Sequence, residues 1–154
     1  MASNTVPVHA YDYAPISERR TQEAVVRNLE SLGYNVIQQC VDDPTQFKDI
    51  SSCRTHDVFG IDVVAQKENE LWIIEVKGKP RGGTASCSTI FMAGIGQISS
   101  RISRVAPRIR YSLAIPNSPF FSPTVKKFIN SPILAKINLS ILLLQYDGSF
   151  EFIK

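Results

Sequence analysis

Residues 60–79 read GIDVVAQKENELWIIEVKGK, two apolar runs on either side of a short polar turn, which is the pattern of a β-hairpin. In the second run, LWIIEVKG, side chains alternate between faces, so Trp72, Ile74 and Val76 share one face while Ile73, Glu75 and Lys77 share the other. The first face is wholly apolar, as a strand inside a sheet requires. The second ends in a carboxylate and an ammonium beside a Gly-rich loop, the kind of strand end where sites form. Buried there without partners, each charge would cost several kcal/mol.

Asp62 stands on the preceding run and needs only a neighbouring place in the sheet to approach Glu75. Two carboxylates held together raise each other's pKa unless a cation lies between them. A hard divalent ion such as Mg²⁺, with Mn²⁺ able to substitute, suits oxygen ligands of this kind. Lys77 could orient the ion's water or, with a pKa lowered by burial, accept its proton. The trio therefore has the composition of a phosphodiester hydrolysis site, with Asp62 and Glu75 as metal ligands. An ion pair of Lys77 with Asp62 or Glu75 is the simpler reading of the same residues. Asp57, in the turn THDVFG, is an alternative to Asp62, and His56 beside it reads as a surface or capping residue.

Upstream, SERRTQEAVVRNLESLGYNV predicts a helix capped by Ser17 and stopped by Gly33, followed by a strand. Its apolar stripe is Val25, Leu29 and Leu32, with Val26 at the edge; Glu18 falls within the stripe's arc, and Glu23 lies opposite it. Residues 42–57 form a polar connection. Downstream, the loop KPRGGTAS leads to a second helix expected over Thr89 to Ala106 and ended by Pro107. A strand YSLAIP, a helical piece near TVKKFI, and two strands SILLLQY and SFEFI around an Asp147-Gly148 turn complete the chain. The expected order is α, β, β, β, α, β, α, β, β: one α/β domain over residues 17–154, with a central mixed sheet flanked by helices, after an N-terminal arm of residues 1–16.

Charge is unevenly placed. Residues 1–76 hold 6 basic and 12 acidic side chains, whereas residues 77–154 hold 11 and 2, net charges of −6 and +9. A C-terminal half that basic suggests a polyanion, usually nucleic acid, unless the halves interleave and neutralise one another. On the second helix Phe91, Ile95, Ile98, Ile102 and Val105 form an apolar stripe, and Gln97, Arg101 and Arg104 share a different face. With Lys79 and Arg81 in the Gly-rich loop and Arg108 and Arg110 beyond the helix, they are candidate phosphate contacts. A solvated polar face is the alternative.

Several function classes are excluded. Cys40, Cys53 and Cys87 are odd in number and form no CxxC pair, so they predict free thiols rather than disulfides or a zinc site. No apolar run approaches the length of a membrane span. The N-terminus has no secretory pattern, so a cytoplasmic protein is expected. No P-loop, dinucleotide fingerprint or Ser/His/Asp grouping is present.

From Ser17 to Pro116 the chain resembles the PD-(D/E)XK nuclease superfamily, with its restriction-endonuclease-like fold: Asp62, the Glu75-x-Lys77 run and a helix bearing Gln97 in GIGQISSRI follow in that family's order. The likeness is greater to the Holliday-junction resolvase and Mrr-like branches. It implies an α-β-β-β-α-β core and a DNA endonuclease of repair, recombination, restriction or defence. It further implies one or two metal ions around the Asp and Glu, a supporting Gln97, and a first-helix glutamate, for which Glu18 is the candidate, with Gln22 and Glu23 as alternatives: Gln22 stands where the resolvase pattern carries a glutamate, and Glu18 could instead serve as a favourable first-turn charge. A nuclease-like nucleic-acid-binding or regulatory subunit, active only with a partner protein, is the alternative function. An enzyme of this size cutting both strands would do so most simply as a homodimer.

Overall fold

The computed structural model describes residues 15–39, 61–102 and 106–153. The proposed arm up to residue 14, the polar connection with Cys40, Cys53, His56 and Asp57, and Arg104 and Val105 lie outside the described residues.

The first helix, α1 (Glu18–Ser31), begins as expected: the Ser17 hydroxyl accepts the Arg20 amide, and Glu18 places a negative charge in the first turn. It ends where Gly33 takes φ +82° and the Tyr34 amide turns back to the Leu29 carbonyl at 2.9 Å. Val25 and Leu29 are buried as expected, but Leu32 is 49% exposed. Leu32 is the C-cap rather than a member of the last turn, so the chain is already leaving the helix there. Thr21, Gln22 and Ala24 are buried instead.

Six strands form one sheet in chain order: β1 (Asn35–Gln39), β2 (Val63–Lys67), β3 (Glu70–Val76), β4 (Ile109–Pro116), β5 (Leu139–Leu144) and β6 (Phe150–Ile153). Pairs β1–β2, β2–β3 and β5–β6 are antiparallel; β3–β4 and β4–β5 are parallel. The β2–β3 connection is a tight hairpin turn in which Glu68 takes φ 51°. Helix α2 (Thr84–Ser100) makes the crossover from β3 to β4, and α3 (Ser122–Ile129) with the short α4 (Pro132–Lys136) makes the one from β4 to β5. The α-β-β-β-α-β order is the observed order of the first six elements, and β5 and β6 are the extra C-terminal strands. Only α4 was not expected.

Two boundaries differ from the sequence reading. The strand containing Asp62 begins after it, at Val63, and α2 starts and ends earlier than Thr89 to Ala106. Pro107 only sets an outer limit. The helix already closes at Ser99 and Ser100, where the Ser100 hydroxyl donates to the Gln97 carbonyl at 2.7 Å and Arg101 is the cap.

The sheet buries both faces, as its parallel centre requires. On one, Trp72, Ile74 and Val76 pack with Val63, Ala65, Ala114 and Leu142 beneath Ala24, Val25 and Leu29 of α1. On the other, Ile73 packs with Val64, Tyr111 and Ile98 of α2, and Leu113 with Phe91, Phe121 and Val125. The alternation read along β3 is thus the observed one. No helix among the described residues is long and apolar enough to cross a membrane.

Candidate active site

The β2–β3 register brings the carboxylates together. Val63 pairs with Ile74, so one further residue along the same register sets Asp62 beside Glu75, on the face shared by Ile73 and Val64. The Asp62 carboxylate Oδ2 accepts the Val76 amide at 2.7 Å, which pins it at the end of β3. Its backbone carbonyl accepts the side-chain amide of Gln22 at 3.2 Å. Gln22 therefore grips the backbone of Asp62.

Lys77, just past β3, is held between two carboxylates: Nζ lies 2.9 Å from Glu75 Oε1 and 3.5 Å from Glu18 Oε2. Glu75 is 2% exposed, and its second oxygen, Oε2, is buried with no hydrogen-bond partner among the described residues. The three first-helix candidates thus separate. Glu18 reaches Lys77, Gln22 reaches Asp62, and Glu23 makes an exposed pair with Arg19 at 3.1 Å, facing water as expected.

Electrostatics follow from this packing. Burial, then the charge of Glu75, pushes the Asp62 carboxyl up to about 7, against the Val76 amide and Lys77. Burial likewise raises Glu75, and nearby Glu18 adds to it, although Lys77 and Arg101 oppose the shift. At Lys77 burial pulls the pKa down, but the hydrogen bond and charge of Glu75, with Glu18 and Asp62, outweigh it and leave the pKa above its ordinary value. The neighbouring carboxylates thus favour the ammonium form of Lys77.

The donor chemistry fits a hard divalent cation: a half-buried and a buried carboxylate, both raised above their ordinary range, and an orphaned buried carboxylate oxygen are conditions that a cation relieves. Among the described residues no group of three or more His, Cys, Asp or Glu side chains forms a metal cage. Asp62 and Glu75 would be an open platform, suited to an ion that keeps several waters.

The expected phosphate contacts divide. Arg81 is exposed in the loop following the site, and Gln97 is exposed on α2, one turn beyond Gly94, which packs on Lys77. Arg101 is partly buried, its Nε has no hydrogen-bond partner among the described residues, and its charge acts on Glu75. Lys79 does not project into solvent as a loop cation would: it is 2% exposed, with Nζ 5.4 Å from the centre of the Phe120 ring.

Arg108 and Arg110 are not at the site. The Arg108 carbonyl accepts the Leu71 amide at 2.8 Å, which places it at the opposite end of β3, on the order of 20 Å from Lys77 along the strand. Arg110 stacks 3.9 Å above the Trp72 ring and bonds Glu70 at 3.1 Å. Cys87 is a buried free thiol, as expected.

No protein-family model and no curated protein sequence matches the chain. Among solved structures, the chain is similar to a crystal structure of an XisH family protein from Nostoc punctiforme, at 18% identity and TM-score 0.47 over 87% of this chain and 98% of that one. It is also similar to a crystal structure of an fdxN element excision controlling factor protein from Anabaena variabilis, at 14% identity and TM-score 0.44 over the same shares.

Proposed function

We propose that the chain is a Mg²⁺-dependent endodeoxyribonuclease that hydrolyses DNA phosphodiester bonds, with Mn²⁺ able to substitute. One observation carries the reading: Asp62 and Glu75, both raised by burial, converge at the end of β3 beside an ammonium fixed 2.9 Å from Glu75. Asp62 and Glu75 would hold the ion. Bound there, a divalent ion lowers the pKa of its water and offsets the charge that builds on phosphoryl oxygens.

The chain's own groups do the rest. Lys77, as an ammonium, donates hydrogen bonds to the attacking water or to a non-bridging phosphate oxygen and stabilises the charge developing there. The water gives up a proton to the surrounding solvent as its oxygen bonds to phosphorus, the P–O bond opposite breaks, and the leaving oxygen takes up a proton from solvent. Glu18 holds Lys77 from the solvent side, Gln22 fixes Asp62, and Gln97, Arg81 and Arg101 supply phosphate contacts.

The test is nicking of supercoiled plasmid with Mg²⁺ or Mn²⁺. Asp62→Ala and Lys77→Ala should each lower the rate by on the order of 10²-fold or more, and unchanged activity in both would sink the proposal. A panel of branched, duplex and single-stranded DNAs then identifies the substrate, and light scattering with and without DNA tests the homodimer. The Lys77–Glu75 pair, complete without a metal, favours a second reading: a nuclease-like binding or regulatory subunit that cuts only with a partner protein. Calorimetric titration separates the two in part, because a module without catalysis need not bind Mg²⁺ through Asp62 and Glu75.

A further inference from the structure

Gly78 follows Lys77 directly, and its φ lies outside the positive range that favours glycine. Space explains it instead. A Cβ at Gly78 would sit 2.4 Å from the Ile16 carbonyl oxygen, 2.6 Å from the Glu18 nitrogen and 2.9 Å from the Ser17 carbonyl carbon. All three are backbone atoms, which no rotamer change can move aside. Around this contact the chain makes a two-way bridge, with the Ile16 amide donating to the Lys79 carbonyl at 2.9 Å and the Lys79 amide to the Ile16 carbonyl at 2.8 Å.

The start of α1 is thus seated backbone to backbone on the end of β3, and this seating carries Glu18 to Lys77. On the other side of the lysine, a Cβ at Gly94 of α2 would come within 3.1 Å of Lys77 Cγ and 2.6 Å of Leu113 Cδ1, so the lysine stem passes close against the helix. We infer that Gly78 is a positioning residue, whose missing side chain docks the first turn of α1 on the strand end so that Glu18 and Glu75 hold the Lys77 ammonium from two sides. Its catalytic consequence rests on the hydrolysis proposed above; the docking itself does not.

Gly78→Ala and Glu18→Gln, singly and combined, test it. In metal-free protein, amide hydrogen exchange at Ile16 and Lys79 reads the bridge. The Lys77 Cε signal of ¹³C-lysine protein, assigned by its loss in Lys77→Arg, reads the contact with Glu18. Gly78→Ala should speed exchange at both amides by about tenfold or more and move the Lys77 signal as Glu18→Gln does. Mn²⁺ affinity should stay within about threefold of the parent. The kcat for nicking should fall on the order of 10²-fold in each single variant and no further in the double.

Protected amides with an unmoved Lys77 signal in Gly78→Ala, or losses of kcat that multiply in the double variant, would overturn the inference. Should Gly78→Ala fail to fold, Ile16→Pro removes one bridge donor without adding bulk at residue 78 and is read by exchange at Lys79 alone and by the Lys77 signal. A parent protein that cuts no DNA would remove the hydrolysis reading and leave exchange and the Lys77 signal to decide the role of Gly78.

Discussion

Glu75 and Lys77 lie on one face of the same strand end and are joined at 2.9 Å, with side-chain exposures of only 3% and 11%. Removing one partner of such a pair leaves a buried charge uncompensated. Lys77→Ala should therefore destabilise the metal-free protein by about 3 kcal/mol at pH 8. The loss should shrink at lower pH, where Glu75 takes up a proton, and be partly recovered by adding Glu75→Gln. Urea denaturation in the presence of a chelator measures it.

Asp62 sets a pH dependence. Its carboxyl has a pKa of about 7 in the folded protein against an ordinary 3.8, so between those values the fold keeps a proton that the unfolded chain has released. Stability of the metal-free protein should fall as pH rises through that window, by at most about 4 kcal/mol, and level off above it. Asp62→Asn should flatten the dependence. Mg²⁺ should stabilise the parent most above pH 7, because the ion binds the carboxylate form. Urea midpoints between pH 4 and pH 8 give all three results.

Topology predicts which arginines matter for DNA. Arg81→Ala should weaken DNA binding and reduce the slope of log affinity against log salt by about 1. Arg108→Ala, at the far end of the sheet, should leave that slope unchanged. Arg110→Ala should also leave it unchanged but cost about 1–2 kcal/mol of stability, because it removes the cation over Trp72 and one partner of Glu70, whose carboxylate keeps the Tyr34 hydroxyl. Fluorescence anisotropy with a labelled duplex at several salt concentrations distinguishes the three.

Gln22 and Glu23 are adjacent, and their substitutions should differ. Gln22→Ala withdraws the amide from the Asp62 carbonyl and opens a gap in a buried position, so roughly 1–2 kcal/mol of stability should be lost along with part of the nicking rate. Glu23→Ala removes only an exposed pair, and its effect on stability should stay within about 0.5 kcal/mol. Thermal melts and nicking rates of the two variants provide the comparison.

The centre of the fold was legible because its signals are local. Alternation along residues 71–77 assigns Trp72 and Glu75 to opposite faces, and the tight turn at Glu68 makes β2 and β3 neighbours, which brings Asp62 beside Glu75. What could not be read depends on distant partners. Lys79 is buried because Phe120, far along the chain, lies under its ammonium. Arg108 and Arg110 follow Gln97 closely in sequence, yet β4 runs parallel to β3 and starts beside Leu71 and Trp72, at the end of β3 remote from the site. The contact that Gly78 makes was equally hidden, since its glycine answers to residues 16–18 rather than to a turn of its own.

Trp72, the chain's one tryptophan, is 2% exposed and meets Tyr34, Phe150 and Phe152 edge-on with Arg110 above it. Those neighbours come from the residue before β1 and from the last strand, and the indole N–H donates to the Ser112 hydroxyl at 2.8 Å. Its emission therefore reports closure of the sheet from both flanks, on the face turned away from Asp62, Glu75 and Lys77. A site variant that loses nicking yet keeps the parent's tryptophan spectrum has lost chemistry, and one whose spectrum shifts has lost its fold; the molecule carries the optical control for the substitutions at Asp62, Glu75 and Lys77.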